Sequence, residues 1–369
     1  MPSTPLRLGF LSPHNPYDRR AFSGTSFYAA NALRQALGVR LRILGSHRPV
    51  TMKQRLLRQA TPKLDVVDPG QFEGLDAVVG MVASKLIDPI LPKLDIPYIH
   101  VTDATPGFLR ECYGWDIPAE IDAREARVAR GSDAVVYSSM EMAVLAAQEL
   151  RISALSAPFG INLEKTRLPT TAPAKPSLNK LNLLFVGNDW ARKGGDIAVG
   201  ALDRLLDLGL NAHLTVVGRV PDLHQDNPAI TRIGYLNKNR PDHAAKLSRL
   251  YAEAHLLLLP SRADCTPMVA AEAMAHGTPV LASAVGGLGT LLGGQGAGRL
   301  LSLEASQEDW AREICAVTAD QFAYQMLSEA SFDRAQTRLT WTAWRRDLLS
   351  TIEALRQAQG TERLRIVAA

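Results

Sequence analysis

The sequence predicts an α/β fold built from two doubly wound parallel-sheet domains. Short apolar runs recur along the chain, and longer helical patterns fill most of the gaps between them. Strands that are apolar at every position are buried on both faces, which is typical of a parallel sheet covered by helices. Because each half of the 369 residues repeats this pattern, and the length suits two cores, we expect two similar domains.

Nine runs carry the strand pattern and five longer segments carry the helical one. The strands are predicted at 6–11, 39–44, 77–80, 98–101, 134–138, 181–187, 213–218, 255–260 and 279–283. The clearest helices are predicted at 26–37, 140–150, 196–209, 243–254 and 341–357. In doubly wound sheets the loops at the carboxyl ends of the strands bind ligands, so these loops are where site residues are expected.

The segment 164–180 separates the two halves of the chain. It contains three prolines and several small polar residues, which disfavour helix and strand and suit a linker. We therefore expect an N-terminal domain at 1–165, a linker at 166–180 and a C-terminal domain at 181–341. The helix at about 342–369 is expected to pack back on the N-terminal domain, and the two facing domains are expected to enclose a central cleft.

Composition excludes several classes of protein. No run approaches 18 consecutive apolar residues, so no transmembrane helix is predicted. Residues 1–13 are short and interrupted by proline, so we do not expect a signal peptide there. The three cysteines are scattered and form no CxxC pair, which disfavours a disulfide framework or a zinc site. A cytoplasmic location is expected.

Charge is concentrated near the N-terminus. Residues 1–64 hold eleven Lys or Arg against a single acid, Asp18. This asymmetry suggests an anionic partner, and the pattern at 51–60 resembles a short interfacial helix. Peripheral contact with an anionic membrane through basic residues 40–63, at its inner face, is one interpretation, and an ordinary solvated basic surface is the other. Residues 40–63 contain no Phe, Tyr or Trp for base stacking, so nucleic acid is not expected.

Basic residues follow the predicted strand at 181–187. Arg192 and Lys193 lie between the strand end and a helix predicted to begin near Gly195 or Asp196. A helix N-terminus offers free N–H groups and a positive dipole, and the two side chains add full charge. This arrangement suits a phosphate group, although a solvated loop has the same composition.

Two carboxylates follow the strand predicted at 255–260. Thr266 is a good N-cap residue and Pro267 suits the first position of a helix, so Asp264 is expected just before a helix start. Glu272 then falls in the second turn. Its neighbours are Ala and Met, among which a buried, unpaired carboxylate would be costly. Both acids could accept hydrogen bonds from sugar hydroxyls.

Two glycine turns complete the set of candidate loops. Gly286 and Gly287 follow the strand predicted at 279–283, and Gly24 with Thr25 opens a helix after the first strand. Glycine lets the backbone approach a ligand closely, and free amides in such turns suit a diphosphate.

Taken in chain order, these segments resemble a retaining glycosyltransferase of the GT-B fold, family 4, whose two domains are Rossmann-like. The resemblance is carried by FVGNDWARKGGDIAVGAL, by IGYLNKN with LSRLYAEAHLLLLPS, and by PSRADCTPMVAAEAMAHGTPVLASAVGG. AVVYSSMEMAVLAAQEL and APFGIN resemble the end of the N-terminal domain of that family. The likeness is strongest over about 183–290.

The resemblance implies a role for each matched position. Lys193 and Arg192 would bind the donor diphosphate, and Asp264 would hold the donor sugar together with the amides from Cys265 to Met268. Glu272 would hold the ribose hydroxyls. The implied catalytic positions are Lys193, Arg192, Asp264 and Asp103, and the implied donor-binding positions are Gly24, Thr25, Gly187, Asn188, Tyr235, Leu236, Cys265, Thr266, Met268, Glu272, Gly286 and Gly287.

The chain departs from the family pattern at three places. The first acid is Asp264 where Glu is usual, and Asn188 stands where an Arg often follows the strand. Near the acceptor many members carry a His just before an Asp, whereas here His100 precedes Asp103 by three positions. We therefore assign the acceptor-side role to Asp103 and interpret His100 as a strand histidine satisfied by backbone.

The implied activity is transfer of a hexose from a nucleotide sugar, with a UDP-sugar favoured over GDP-mannose, to a glycan, lipid-linked or small-molecule acceptor. No DxD motif occurs, so neither a metal nor another cofactor is expected. A sugar-nucleotide 2-epimerase of the same fold and a non-catalytic nucleotide-sugar-binding protein remain alternatives. A nicotinamide-dependent oxidoreductase is disfavoured because no strand is followed by a convincing GxGxxG.

Overall fold

The computed structural model describes residues 4–47, 66–164, 167–219, 221 and 227–358. The chain divides into two compact units, each with its own sheet. The N-terminal unit comprises residues 1–162 and 340–369, and the C-terminal unit comprises residues 163–339. The predicted interfacial segment at 51–60, and with it most of the basic stretch 40–63, lies outside the described residues.

In the N-terminal unit the described residues form a six-stranded parallel sheet. Its strands are β1 (Leu6–Leu11), β2 (Val39–Ile43), β3 (Ala77–Met81), β4 (Tyr98–Thr102), β5 (Ala134–Tyr137) and β6 (Leu155–Ser156), in the order β2-β1-β3-β4-β5-β6. The strands β3, β4 and β5 are buried at every position, because helices cover both faces of a doubly wound sheet.

A second six-stranded parallel sheet occupies the described part of the C-terminal unit. Its strands are β7 (Leu181–Val186), β8 (Ala212–Val217), β9 (Ile230–Ile233), β10 (Leu256–Leu259), β11 (Val280–Ser283) and β12 (Gly298–Leu301). They lie in the order β12-β11-β10-β7-β8-β9. Phe185 of β7, Leu258 of β10 and Trp310 share one buried apolar core.

The α-helices of the described residues are numbered in chain order across both units. They are α1 (Thr25–Arg34), α2 (Ser84–Ile87), α3 (Pro106–Tyr113), α4 (Ala119–Gly131), α5 (Met140–Leu150), α6 (Trp190–Lys193), α7 (Gly195–Asp207), α8 (Pro241–Glu253), α9 (Met268–Met274), α10 (Leu288–Leu292), α11 (Gln307–Thr318), α12 (Gln321–Thr337) and α13 (Trp341–Ala358). Among these helices none has both the length and the apolar character needed to span a bilayer. The helix α13 belongs to the N-terminal unit and packs against α1, where Arg345 donates to the Ala32 carbonyl at 3.1 Å.

The predicted fold class, two doubly wound parallel sheets, is confirmed. The sequence patterns missed β6, β9 and β12. All three lie at the edges of their sheets, where one side of the strand has no neighbouring strand. Their burial is accordingly partial, and β9 and β12 each carry an arginine, so they lack the continuous apolar pattern that marks a central strand.

Candidate active site of the C-terminal unit

Two loops converge at one edge of the C-terminal sheet because of its strand order. From β7 the chain adds β8 and β9 on one side, and it then adds β10, β11 and β12 on the other side. The neighbours β7 and β10 pair in parallel, with Leu183 opposite Leu256. The loop after each strand therefore leaves from the same edge, and this switch point is where doubly wound sheets bind ligands. We call residues 187–194 the β7 loop and residues 260–267 the β10 loop. The Arg262 N–H donates to the Arg192 carbonyl at 2.8 Å and joins them.

A short helix that the sequence did not predict shapes the β7 loop. Asp189 caps α6 by accepting from the Arg192 N–H at 3.2 Å. Gly194 then ends α6 in the left-handed region, with φ +72°, and α7 begins at the next residue. A Cβ at Gly194 would lie 1.9 Å from the Pro260 carbonyl oxygen, so only glycine allows the two loops to approach this closely.

Lys193 and Asp264 meet where the two loops converge. The Lys193 ammonium and the Asp264 carboxylate form a direct ion pair, and Ser261 Oγ donates to Asp264 Oδ2 at 3.3 Å. Both side chains are largely buried. Lys193 and Asp264 are thus in contact although they lie 71 positions apart in the sequence. The sequence analysis assigned them to phosphate and sugar binding.

Arg192 supports the β10 loop from the side. Its Nη1 donates to the Ala263 carbonyl at 2.8 Å, and its Nε donates to Asp189 Oδ2 at 3.0 Å. The guanidinium therefore fixes the backbone next to Asp264. Asn188, at the start of the same loop, is exposed, and Gly187 directly follows β7.

Glu272 lies in the second turn of α9 and is completely buried. Its carboxylate has two partners: Tyr251 O–H donates to Oε2 at 3.1 Å, and Lys238 Nζ donates to Oε1 at 2.5 Å. Burial, with the nearby Glu272 carboxylate, raises the pKa of Tyr251 well above its ordinary value, so the phenol keeps its proton and acts as a donor. These partners offset the cost of burying the carboxylate.

The sequence did not identify Lys238 or Tyr251 as site residues. Lys238 lies three positions after Tyr235 in the same loop, and Tyr251 lies in α8. Lys238 lies between two asparagines, and Tyr251 lies in an amphipathic helix. Neither sequence context indicates a site residue. Their partner, Glu272, is 34 and 21 positions away, and only the packing of α8 against α9 brings them together.

The start of α9 differs from the prediction by one residue. Pro267 is the N-cap, with ψ 99°, and the helix begins at Met268, whereas the sequence predicted Thr266 as the cap. An extended ψ at Pro267 is incompatible with the first helical turn. Thr266 and Cys265 consequently lie in the β10 loop, with Cys265 buried.

The glycine turn after β11 packs directly on the β10 loop. Gly287 N–H donates to the Cys265 carbonyl at 2.8 Å. Gly286 has φ +56°, and a Cβ there would lie 1.6 Å from the Asp264 carbonyl oxygen. The turn therefore fixes the backbone on both sides of the Asp264–Cys265 peptide. Tyr235, on the loop between β9 and α8, is exposed, and Leu236 is partly buried.

The remaining predicted residues lie in the N-terminal unit. Phe22, Ser23 and Gly24 are three consecutive left-handed residues, with φ 50°, 54° and 90°, and Thr25 begins α1. Backbone strain of this kind is concentrated at functional sites. Asp103 directly follows β4.

His100 is a core residue of β4. Its Nδ1 lies 3.2 Å from Tyr98 Oη, and its Nε2 lies 3.9 Å from Glu125 Oε2. Burial lowers the pKa of His100, although Glu125 acts in the opposite direction. The ring is thus placed beside side chains, whereas the sequence interpretation assigned it backbone partners.

Solved structures with a fold similar to that of this chain include GT-B glycosyltransferases. The protein is similar in structure to sucrose-phosphate synthase from Thermosynechococcus elongatus, with a TM-score of 0.68, 16% identity, and coverage of 96% of this chain and 100% of the other. It is also similar to Anabaena HepE in complex with UDP and glucose, with a TM-score of 0.64, 14% identity, and coverage of 95% and 100%. These similarities establish the fold.

Residues 180–320 match the family model for glycosyl transferases group 1. In sequence, the chain is 29% identical over 208 residues to a D-inositol 3-phosphate glycosyltransferase of Segniliparus rotundus, an alignment covering 53% of this chain. The same alignment covers 46% of that relative, so the chain spans about half the length of the curated protein it matches. The resemblance inferred from the motifs, a GT-B glycosyltransferase, is confirmed.

Proposed function

We propose that the protein is a retaining, metal-independent glycosyltransferase that moves a hexose from a nucleotide sugar to a glycan, lipid-linked or small-molecule acceptor. A UDP-sugar is the first candidate donor and GDP-mannose the second. The observation that carries the proposal is the contact between Lys193 and Asp264 at the switch point of the C-terminal sheet. It brings a cation, a carboxylate and the N-terminus of α7 to one place.

The cation suits the leaving group of the proposed reaction. Breaking the bond between a sugar and a diphosphate leaves growing negative charge on the phosphate oxygens. Fixed positive groups aimed at that charge stabilise the transition state more than the ground state. Lys193 supplies full charge, and the first N–H groups of the 13-residue helix α7 supply partial charge. In the proposed complex Lys193 would exchange part of its contact with Asp264 for the diphosphate.

The carboxylates suit the hydroxyl groups of the donor. Asp264 would accept from the sugar, with the backbone from Cys265 to Met268 completing that subsite. Glu272 would accept from the ribose. Its buried carboxylate is held by Tyr251, so its orientation is set before the ligand arrives, which lowers the cost of ordering on binding.

The acceptor side and the stereochemistry rest on the family resemblance. In a retaining transfer the leaving phosphate assists deprotonation of the acceptor hydroxyl, and the new bond forms on the face that the diphosphate leaves. Asp103, together with the Gly24 and Thr25 turn, is the proposed contribution of the N-terminal unit. The relative from Segniliparus rotundus is named for action on D-inositol 3-phosphate, so this compound belongs in the acceptor panel.

A donor panel tests the proposal. Thermal unfolding is measured with UDP, GDP, ADP and the corresponding hexose conjugates, and each stabilising donor is then incubated with and without acceptors. Stabilisation followed by acceptor-dependent transfer, with the donor's anomeric configuration kept in the product by NMR, is expected. Epimerised donor without acceptor would indicate the epimerase, and binding without turnover would indicate a binding protein. If no nucleotide stabilises the protein, the proposal is wrong.

The basic stretch 40–63 adds a proposed surface for an anionic membrane. Of its described part, Arg40 and Arg42 are exposed, and Arg42 donates to the carbonyls of Gln71 and Glu73. Sedimentation with liposomes that contain or lack anionic lipid tests this contact. Equal recovery with both kinds of liposome would remove it.

A further inference from the structure

The ion pair between Lys238 and Glu272 blocks the carboxylate that the proposed function requires to be accessible to the ribose. The Glu272 side chain is 0% exposed, whereas the Lys238 side chain is 32% exposed. A carboxylate has about four acceptor positions on its two oxygens. Tyr251 and Lys238 use two of them, so Glu272 has capacity for further donors but no surface at which a ligand could reach it.

Of the two partners, Lys238 is the one that can move. Tyr251 is fully buried, and its backbone carbonyl accepts from Lys175 Nζ at 3.3 Å and from Thr278 Oγ1. Tyr251 is therefore held by hydrogen bonds both at its backbone carbonyl and at its hydroxyl group. Lys238 reaches Glu272 on a flexible four-carbon stem from a surface loop, and its ammonium can return to water by side-chain rotation alone.

The backbone of the Lys238 loop is itself anchored. Asn237 Oδ1 accepts from the Asn239 N–H at 3.0 Å, and the Asn237 carbonyl accepts from the Arg240 N–H at 2.9 Å. The Asn237 N–H donates to His243 Nδ1 at 3.0 Å. Release of Glu272 thus requires no opening of the loop, because only the lysine side chain has to leave.

We propose that Lys238 is a displaceable latch on Glu272. Its ammonium binds the carboxylate in the free protein, and the ribose hydroxyls of the nucleotide must displace it. The inference rests on the proposed function and names a positioning residue for the same site. Nucleotide binding has to break the charge-assisted hydrogen bond between Lys238 and Glu272. Lys238 therefore weakens nucleotide binding. A rigid brace at this position would have the opposite effect, since removing it would loosen Glu272 and weaken binding.

Calorimetric titration of the full chain distinguishes the two. The wild type, Lys238→Ala and the matched surface control Lys246→Ala are titrated with UDP and GDP and with the 2′,3′-dideoxy form of each. The latch predicts that Lys238→Ala binds the hydroxyl-bearing nucleotide about tenfold more tightly, the equivalent of one charge-assisted hydrogen bond. The dideoxy form gains nothing, and Lys246→Ala, an exposed lysine on α8, binds like the wild type.

The outcomes separate the latch from the proposed function. If the wild type binds neither nucleotide, the proposed function fails and the latch fails with it. If the wild type binds and Lys238→Ala binds equally or more weakly, the latch alone is wrong. Lys238→Met keeps the apolar stem while removing the ammonium, so it provides the same comparison if the alanine variant does not fold.

Discussion

The indole N–H of Trp341 donates to Oδ1 of Asn162 at 3.1 Å. Asn162 ends the first segment of the N-terminal unit and Trp341 begins α13 in the second. The amide of Asn162 also donates to the Ser23 carbonyl and to Thr25 Oγ1, each at 3.1 Å. One buried asparagine therefore joins the returning helix to the left-handed turn that precedes α1.

Replacing Asn162 with leucine is expected to destabilise the N-terminal unit by about 1–3 kcal/mol, because the buried Trp341 N–H and the Ser23 carbonyl lose their partner. Urea unfolding monitored by tryptophan fluorescence measures the change. Asn179→Leu makes the same substitution at an exposed position and is expected to have little effect. Equal stability of the two variants would show that the Asn162 contacts contribute nothing.

Replacing Lys193 with alanine is expected to lower turnover by about 10²–10³-fold, the magnitude seen when one fixed group that stabilises transition-state charge is removed. The variant also leaves Asp264 without its cation, so loss of activity has to be separated from loss of stability. Lys193→Ala combined with Asp264→Asn removes the uncompensated carboxylate and should recover thermal stability without recovering turnover. Near wild-type turnover in the single variant would contradict the assignment.

Lys175 is expected to make stability depend on pH above neutrality. Its ammonium donates to Thr278 Oγ1 at 2.5 Å and to the Ala252 carbonyl at 3.1 Å, and burial lowers its pKa to about 7. From pH 7 to about 10 the unfolded chain binds a proton that the folded chain lacks. This residue therefore makes the free energy of unfolding rise with pH, by up to about 1.4 kcal/mol per pH unit.

Urea unfolding at pH 7, 8 and 9 tests the effect of Lys175. Lys175→Met should lose the rise with pH, whereas Lys180→Met, at an exposed position of the same segment, should keep it. Parallel curves for the wild type and Lys175→Met would mean that Lys175 is protonated in the folded state throughout this range.

Gly286→Ala is expected to damage the β10 loop. The left-handed backbone alone costs about 1–3 kcal/mol for a residue with a side chain, and the new Cβ would collide with the Asp264 carbonyl. We expect reduced thermal stability together with loss of nucleotide binding. Gly296→Ala is the control, because a Cβ there lies 3.5 Å from its nearest neighbour, the Gly293 carbonyl. If both variants melt and bind alike, the turn does not constrain the loop.

The sequence predicted the central strands of both sheets because their pattern is local. A strand such as β10, four leucines buried at every position, carries its signal in its own residues. The edge strands β9 and β12 do not, since each carries an arginine and most of its residues are only partly buried. The short helix α6 was missed for a related reason, because it has a single turn and depends on the Asp189 cap.

The candidate site was predictable where residue type and strand position coincide. Lys193, Asp264 and Glu272 follow strand ends or lie in the next helix, so chain order and chemistry were enough to select them. Lys238 and Tyr251 could not be selected, because their relevance comes from the partner that each contacts. Whether Glu272 is paired at all depends on the packing of α8 against α9, which the amino-acid pattern does not encode directly.

The N-terminal unit is built from two separate segments of the chain, and this affects the order in which the two units can fold during synthesis. The C-terminal unit is continuous, so a ribosome has delivered all of it by residue 339. The N-terminal unit, although its first segment is made earlier, waits for α13 before Asn162 Oδ1 accepts from Trp341 and the Ala32 carbonyl accepts from Arg345. The half that emerges second can therefore be the first to finish folding, and the half that emerges first stays incomplete until the returning helix is released.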